Sequence, residues 1–150
     1  MIYSIKINDK QDNIYDAKIT VTNKYLHIDI LNGEDVGYLK GVFYENVFKL
    51  DIIYVYRNYR NLGLGTELLD ILYLFLQDKV EAITGTFLPL SLEGEYDLDY
   101  IEEKDKIFYK NNYFSVSASL LVRPVMEHES SYEFIDNKIV KVQRGKRHER

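Results

Sequence analysis

The residues with the most chemical content are Arg60, Asn61, Leu62, Gly63, Leu64, Gly65 and Thr66, which stand in one run. An apolar, β-prone segment, Val47 to Val55, leads into them. A helical pattern leads out, with Leu64, Leu68, Leu72, Phe75 and Leu76 near one face. Strand, glycine loop and helix together present backbone N–H groups to an anion. The first turn of a helix has donors with no intrahelical acceptor, and the helix dipole favours negative charge there. Gly63 and Gly65 lack a Cβ, so a pyrophosphate is expected to come close to the main chain. The loop is not GxxxxGK[ST], which removes the P-loop reading. It is not GxGxxG, and no βαβ dinucleotide unit surrounds it.

Arg60-x-x-Gly63-x-Gly65 resembles the acyl-coenzyme A loop of the GNAT acyltransferase superfamily. That pattern is Arg or Gln, two residues, Gly, one residue, then Gly or Ala, between a fourth strand and a long helix. A second stretch, Phe108-Tyr109-Lys110-Asn111-Asn112-Tyr113-Phe114, resembles the superfamily's FYxxxGF signature. Its glycine is replaced by Tyr113, and Asn112 is expected to take the left-handed helix cap instead. The resemblance implies an α+β fold: a twisted, mixed, mostly antiparallel sheet with two main helices. It implies an N-acyltransferase that moves an acetyl or short acyl group from acetyl-CoA to a primary amine, small molecule or peptide. The loop from Arg60 to Thr66 would then hold the coenzyme, and a backbone N–H near Tyr54 or Val55 would face the oxyanion. Tyr109 matches the position whose hydroxyl lies near the coenzyme sulfur. A phenol with a reference pKa of about 10 can protonate a leaving thiolate at neutral pH. General acid catalysis of that kind contributes roughly 10²–10⁴ in rate. A core tyrosine is the competing reading, and 14 tyrosines in the chain make it a serious one.

Positioning these residues requires a sheet. Strand signals fall at Ile2–Ile7, Ala17–Thr22, Tyr25–Leu31, Val36–Tyr44 and Val47–Val55, with a hairpin signal at Asn32-Gly33. No helical period occurs before residue 56. The superfamily places one or two helices after its first strand, so these are expected to be reduced or absent here. The resemblance is carried by residues 36 to about 122 more than by the first 35. A fifth strand is expected at Ala82–Leu88, a helix at Tyr100–Asn111 capped by Asp97 or Asp99, and a sixth strand at Phe114–Val122. One of the segments 131–135 and 138–142 is expected to supply the last strand. Without early helices, residues 89–99, which include the loop Pro89–Asp97, or a second subunit in a homodimer must wall the acceptor site. The alternative function is a non-catalytic acyl-CoA-binding or protein-interaction module on the same fold. No general base is identified among Asp51, Glu67, Glu93 and Glu95.

The chain has 150 residues, 46% of them apolar and 29% charged, enough for one domain with a full core. That domain is expected over 1–142, with 143–150 a basic flexible tail. A net charge of −5 disfavours nucleic-acid binding. No run of about 18 apolar residues predicts a membrane span, and MIYSIKINDK has no signal-peptide core. A cytoplasmic protein is expected. Cysteine is absent, and His27, His128 and His148 lack ligand-like spacing, so no metal is expected.

Overall fold

Alternation of apolar and polar residues carries the first 55 residues into an antiparallel meander. A computed structural model of the chain describes residues 1–86, 106–117 and 120–142. The five strands are β1 (Ile2–Asn8), β2 (Ile14–Val21), β3 (Tyr25–Leu31), β4 (Asp35–Tyr44) and β5 (Val47–Val55). Each pairs with the next. In register, Tyr3, Ile19, Ile28, Leu39 and Ile53 form a row across the sheet on its core face. The period of two places such rows on one side. Asn32-Gly33 turns the chain between β3 and β4, with Gly33 at φ 74.

Helix α1 (Leu64–Leu76) follows β5 after a short 3-10 turn, Arg57–Tyr59. It lies on the core face and leads to β6 (Ala82–Thr86), which pairs parallel with β5. The sequence predicts one apolar stripe on this helix. The structure instead buries every residue from Leu68 to Leu76. The reason is a second layer: β9 (Tyr132–Ile135) and β10 (Lys138–Lys141) form a separate hairpin against the helix. Asp70 is buried because Ser131 N–H donates to its Oδ1 at 2.7 Å, while Ser130 Oγ donates to its carbonyl at 2.7 Å. The 131–142 segment therefore adds a layer and no strand to the main sheet, contrary to the expectation of a last strand there.

Residues 106–111 form the described part of a second helix, α2. The expected start of this helix at Tyr100, its cap and the loop Pro89–Asp97 lie outside the described residues. The single strand expected over Phe114–Val122 is two, β7 (Ser115–Ser117) and β8 (Leu120–Pro124), paired antiparallel. Its apolar alternation spans a reversal that carries neither Gly nor Pro. The main sheet has the order β1-β2-β3-β4-β5-β6-β8-β7.

Candidate active site

The glycine loop is built from alternating backbone regions. Tyr56 N–H donates to Val36 O at 2.9 Å and closes β5. Asn61 (φ 64) and Gly63 (φ 83) are left-handed, a region Asn and Gly enter at least cost. Helix α1 then begins, with Glu67 N–H reaching Gly63 O at 3.0 Å. The amides of Leu64, Gly65 and Thr66 precede that first intrahelical bond. The two glycines are explained by protein neighbours. A methyl group at Gly63 would stand 3.2 Å from Cε of Lys10, and one at Gly65 would stand 2.9 Å from Cε1 of Phe108. The Cβ side of the loop is thus filled by protein at both positions, and a ligand would meet its amide side.

Arg60 turns back toward the end of β5. Its Nε donates to Val55 O at 2.8 Å, and Cζ lies 5.2 Å from the Tyr54 ring centroid. Arg60, Tyr54 and Val55 are therefore in contact. Leu64 is buried, while Leu62 packs on the core and its carbonyl accepts from Lys10 N–H at 2.9 Å.

Among the described residues, the ladder between β5 and β6 runs from Val47↔Ala82 to Leu50↔Gly85, while β5 continues to Val55. On the other side Lys40 pairs with Ile52 and Gly41 with Leu50, which makes Asp51 an extra, bulged residue. Antiparallel bonding alternates by two residues. Since Tyr56 N–H bonds Val36 O, Tyr54 N–H and C=O both face β4. A trans peptide points its N–H opposite to its C=O. Val55 N–H therefore faces the side of β5 opposite β4, beyond the last described β5–β6 pair.

The second motif packs onto the first through Phe108 and Gly65. Tyr109 is half-buried, its ring 5.4 Å from those of Phe108 and Phe114. The helix end corrects one expectation. Tyr113, not Asn112, takes the left-handed conformation, at φ 70. Phe114 N–H bonds Tyr109 O and Tyr113 N–H bonds Lys110 O, both at 3.0 Å, which is a Schellman cap. Asn112 is buried instead, with Nδ2 on Phe108 O at 3.0 Å. Its carbonyl accepts from Arg123 Nε at 2.8 Å.

Glu67 is engaged elsewhere. Tyr132 O–H donates to its Oε2 at 2.7 Å, and Lys141 Nζ lies 3.1 Å from Oε1. Burial, together with the Glu67 carboxylate, pushes the Tyr132 hydroxyl far above the usual phenol range. Asp51 is exposed at the bulge, and Glu93 and Glu95 fall outside the described residues.

The turn between β1 and β2, a run of polar residues without a motif in the sequence, also lies against the loop. Asp9 is its hub. Its carboxylate accepts from Gln11 N–H, Asn13 N–H, Asn13 Nδ2 and Tyr15 O–H at 2.6–3.0 Å. Burial opposes its ionisation, but these donors outweigh it and hold the carboxyl at about 2. Burial, and then Asp9, push the Tyr15 hydroxyl up to about 12. A cavity of about 560 Å³ opens between this turn and the first turn of α1, lined by Asp9, Lys10, Gly63, Thr66, Glu67 and Tyr132 among others. No cluster of metal-ligating side chains occurs among the described residues. No described helix is long and apolar enough to cross a membrane.

The sequence profile of the acetyltransferase (GNAT) family matches residues 3–87, more than half the chain. The match begins in β1, so the family likeness includes the first 35 residues. No match of comparable strength is found among curated protein sequences. Among solved structures, an acetyltransferase of the GNAT family from Staphylococcus aureus Mu50 superposes with a TM-score of 0.53 at 19% identity, over 69% of this chain and 70% of that one. The ribosomal-protein-S18-alanine N-acetyltransferase of Escherichia coli gives 0.54 at 17%, over 73% and 75%. The PaiA N-acetyltransferase of Thermoplasma acidophilum, in complex with coenzyme A, gives 0.51 at 14%, over 66% and 58%. At these identities the likeness is one of fold.

Proposed function

This chain belongs to the acetyltransferase (GNAT) family, and from that membership we propose that it moves an acetyl or other short acyl group from acyl-coenzyme A to a primary amine by direct attack. The observation that carries the reading is the contact between its two motifs. Gly65 of the loop and Phe108 beside Tyr109 pack at a distance only glycine permits. The two motifs, 43 positions apart at these residues, thus meet in the fold.

In this reading the amides from Gly63 to Thr66 hold the diphosphate at the start of α1, where dipole and orphan donors favour an anion. Arg60 adds positive charge beside Tyr54 and Val55. The neutral amine attacks the thioester carbonyl. Charge develops on the carbonyl oxygen, and the Val55 N–H stabilises it. The tetrahedral species loses its ammonium proton to solvent water and collapses, the C–S bond breaks, and Tyr109 gives its proton to the departing sulfur and is reprotonated from solvent. Acceptors are small-molecule or peptide amines.

The test has two arms. Melting with and without acetyl-CoA should show stabilisation of about 2.7 kcal/mol at 100 times the dissociation constant. Polyamines, aminoglycosides, amino acids and peptides are then screened for release of the coenzyme A thiol. No stabilisation at millimolar acetyl-CoA would remove the reading.

A further inference from the structure

Gly37 is buried in β4, opposite Val55, at the last rung of the β4–β5 ladder. Glycine weakens a strand interior, and in one it often marks a close backbone approach. Its conformation does not demand glycine, because among the described residues only Gly33 and Gly63 are glycines with positive φ. Space does. A methyl group at Gly37 would stand 2.8 Å from Tyr54 O and 3.3 Å from Val55 Cα. Both neighbours are main-chain atoms, so no side chain can rotate away to make room.

The crowded oxygen belongs to the peptide group that also carries Val55 N–H. That unit is planar, so a shift of its oxygen turns its N–H as well. Tyr56 N–H on Val36 O, at 2.9 Å, pins the next rung, so the peptide has little freedom to relax outward. On the opposite side the last described β5–β6 pair is Leu50 with Gly85, five residues before Val55. Among the described strand pairings, β4 is the one held against this peptide.

We infer that Gly37 is a positioning residue for acyl transfer. By letting β4 close onto the Tyr54–Val55 peptide, it aims Val55 N–H at the thioester carbonyl oxygen. This rests on the acyl-CoA reading above. Gly37 touches neither donor nor acceptor and acts only through the peptide of its neighbour.

The probe is acetyl-CoA carrying ¹³C at the thioester carbonyl, with unlabelled coenzyme A as the control ligand. On binding to the wild-type chain, the carbonyl stretch should move to lower frequency as Val55 N–H donates to it. In Gly37→Ala most of that displacement should vanish. Acetyl-CoA affinity should fall roughly threefold to tenfold, the size of one hydrogen bond. Coenzyme A, which has no acyl carbonyl, should bind the variant and wild type within about twofold. An unchanged carbonyl displacement in Gly37→Ala overturns the inference. So does an equal loss of affinity for both ligands, which marks a purely structural glycine. Wild-type binding of acetyl-CoA without any displacement also overturns it and leaves the coenzyme site standing. Binding of neither ligand to wild type fails the acyl-CoA reading itself. Should Gly37→Ala not fold, an amide-to-ester replacement at Val55 removes the same N–H without crowding β4. A full carbonyl displacement in that ester then refutes the inference.

Discussion

Arg123 is the most deeply buried charge among the described residues, and removing it should destabilise the protein strongly. Its side chain is 2% exposed and that of its partner Glu129 is 6% exposed. The guanidinium donates to both Glu129 oxygens, to Asn112 O and Pro124 O at 2.8 Å each, and lies 4.3 Å from the Tyr73 ring. Burial alone lowers the pKa of such a group, but the Glu129 carboxylate outweighs it and raises Arg123 above its ordinary value. Arg123→Met keeps the apolar stem and deletes every donor. Glu129 keeps the Met126 N–H, at 2.9 Å, but loses the guanidinium that balances its buried negative charge. Breaking a buried pair from one side costs about 3–5 kcal/mol. That is a large part of the roughly 5–15 kcal/mol that holds a domain together. At this chain length it corresponds to a fall of about 10 °C in Tm. The assay is urea unfolding at pH 7 and pH 4.5. In the variant the stranded Glu129 carboxyl should have a raised folded pKa. Its contribution to stability is then full below the unfolded pKa and lost as pH rises through the folded one. The deficit against wild type should therefore shrink at pH 4.5. Adding Glu129→Gln should recover part of it at pH 7. A deficit below about 1 kcal/mol, or one independent of pH, would refute the buried-charge reasoning.

Tyr109→Phe keeps both ring contacts and removes only the hydroxyl, so coenzyme affinity should persist while turnover falls by about 10²-fold or more; wild-type turnover in a verified amine assay would return Tyr109 to the core. Gly63→Val places a β-branched side chain at φ 83 against the Lys10 stem. It should abolish acetyl-CoA binding with the circular dichroism spectrum retained, and unchanged affinity would dissociate the loop from the coenzyme. Asp9, held at about 2 from an ordinary 3.8, adds stability that is full above pH 4 and lost as pH falls toward 2. Acid unfolding of Asp9→Asn should lack that limb, and an acid profile identical to wild type would contradict the network.

Much of this architecture was legible in local patterns. The bounds of β3 and β5 match expectation at both ends, because β3 alternates without a break, β5 stays apolar to its end past the bulge at Asp51, and turn residues precede and follow them. The glycine loop was legible by spacing, though for a partly different reason. Lys10 and Phe108 fill the space beside Gly63 and Gly65, and neither neighbour can be inferred from residues 60–66 alone. Tyr113 shows how tertiary contacts override propensity. A left-handed tyrosine costs about 1–2 kcal/mol, so Asn112 was the better local candidate. Asn112 is instead drawn inward, where its carbonyl takes the Arg123 Nε–H. The two-sided burial of α1 was hidden for the same reason, since the covering hairpin begins more than 50 residues later.

The turn at Asp9 accounts for how so short a connection between β1 and β2 supports the loop. A helix would brace the loop by packing area, and a turn of this length has little to offer. It offers hydrogen bonds. Four donors converge on one ionised carboxylate and fix the backbone from Asp9 to Asn13. That rigid turn then delivers Lys10, whose N–H meets Leu62 O and whose stem lies against Gly63. Tyr15 extends the brace, packing edge-on against Tyr59 at 6.2 Å, in the 3-10 turn that follows β5. Both ends of the 57–63 segment are thereby tied to one acidic side chain. An amide at position 9 could mimic some of these bonds, but not four acceptor contacts on two oxygens with the charge that shortens them. The loop geometry of this chain depends on Asp9 remaining ionised, which its depressed pKa ensures throughout the neutral range.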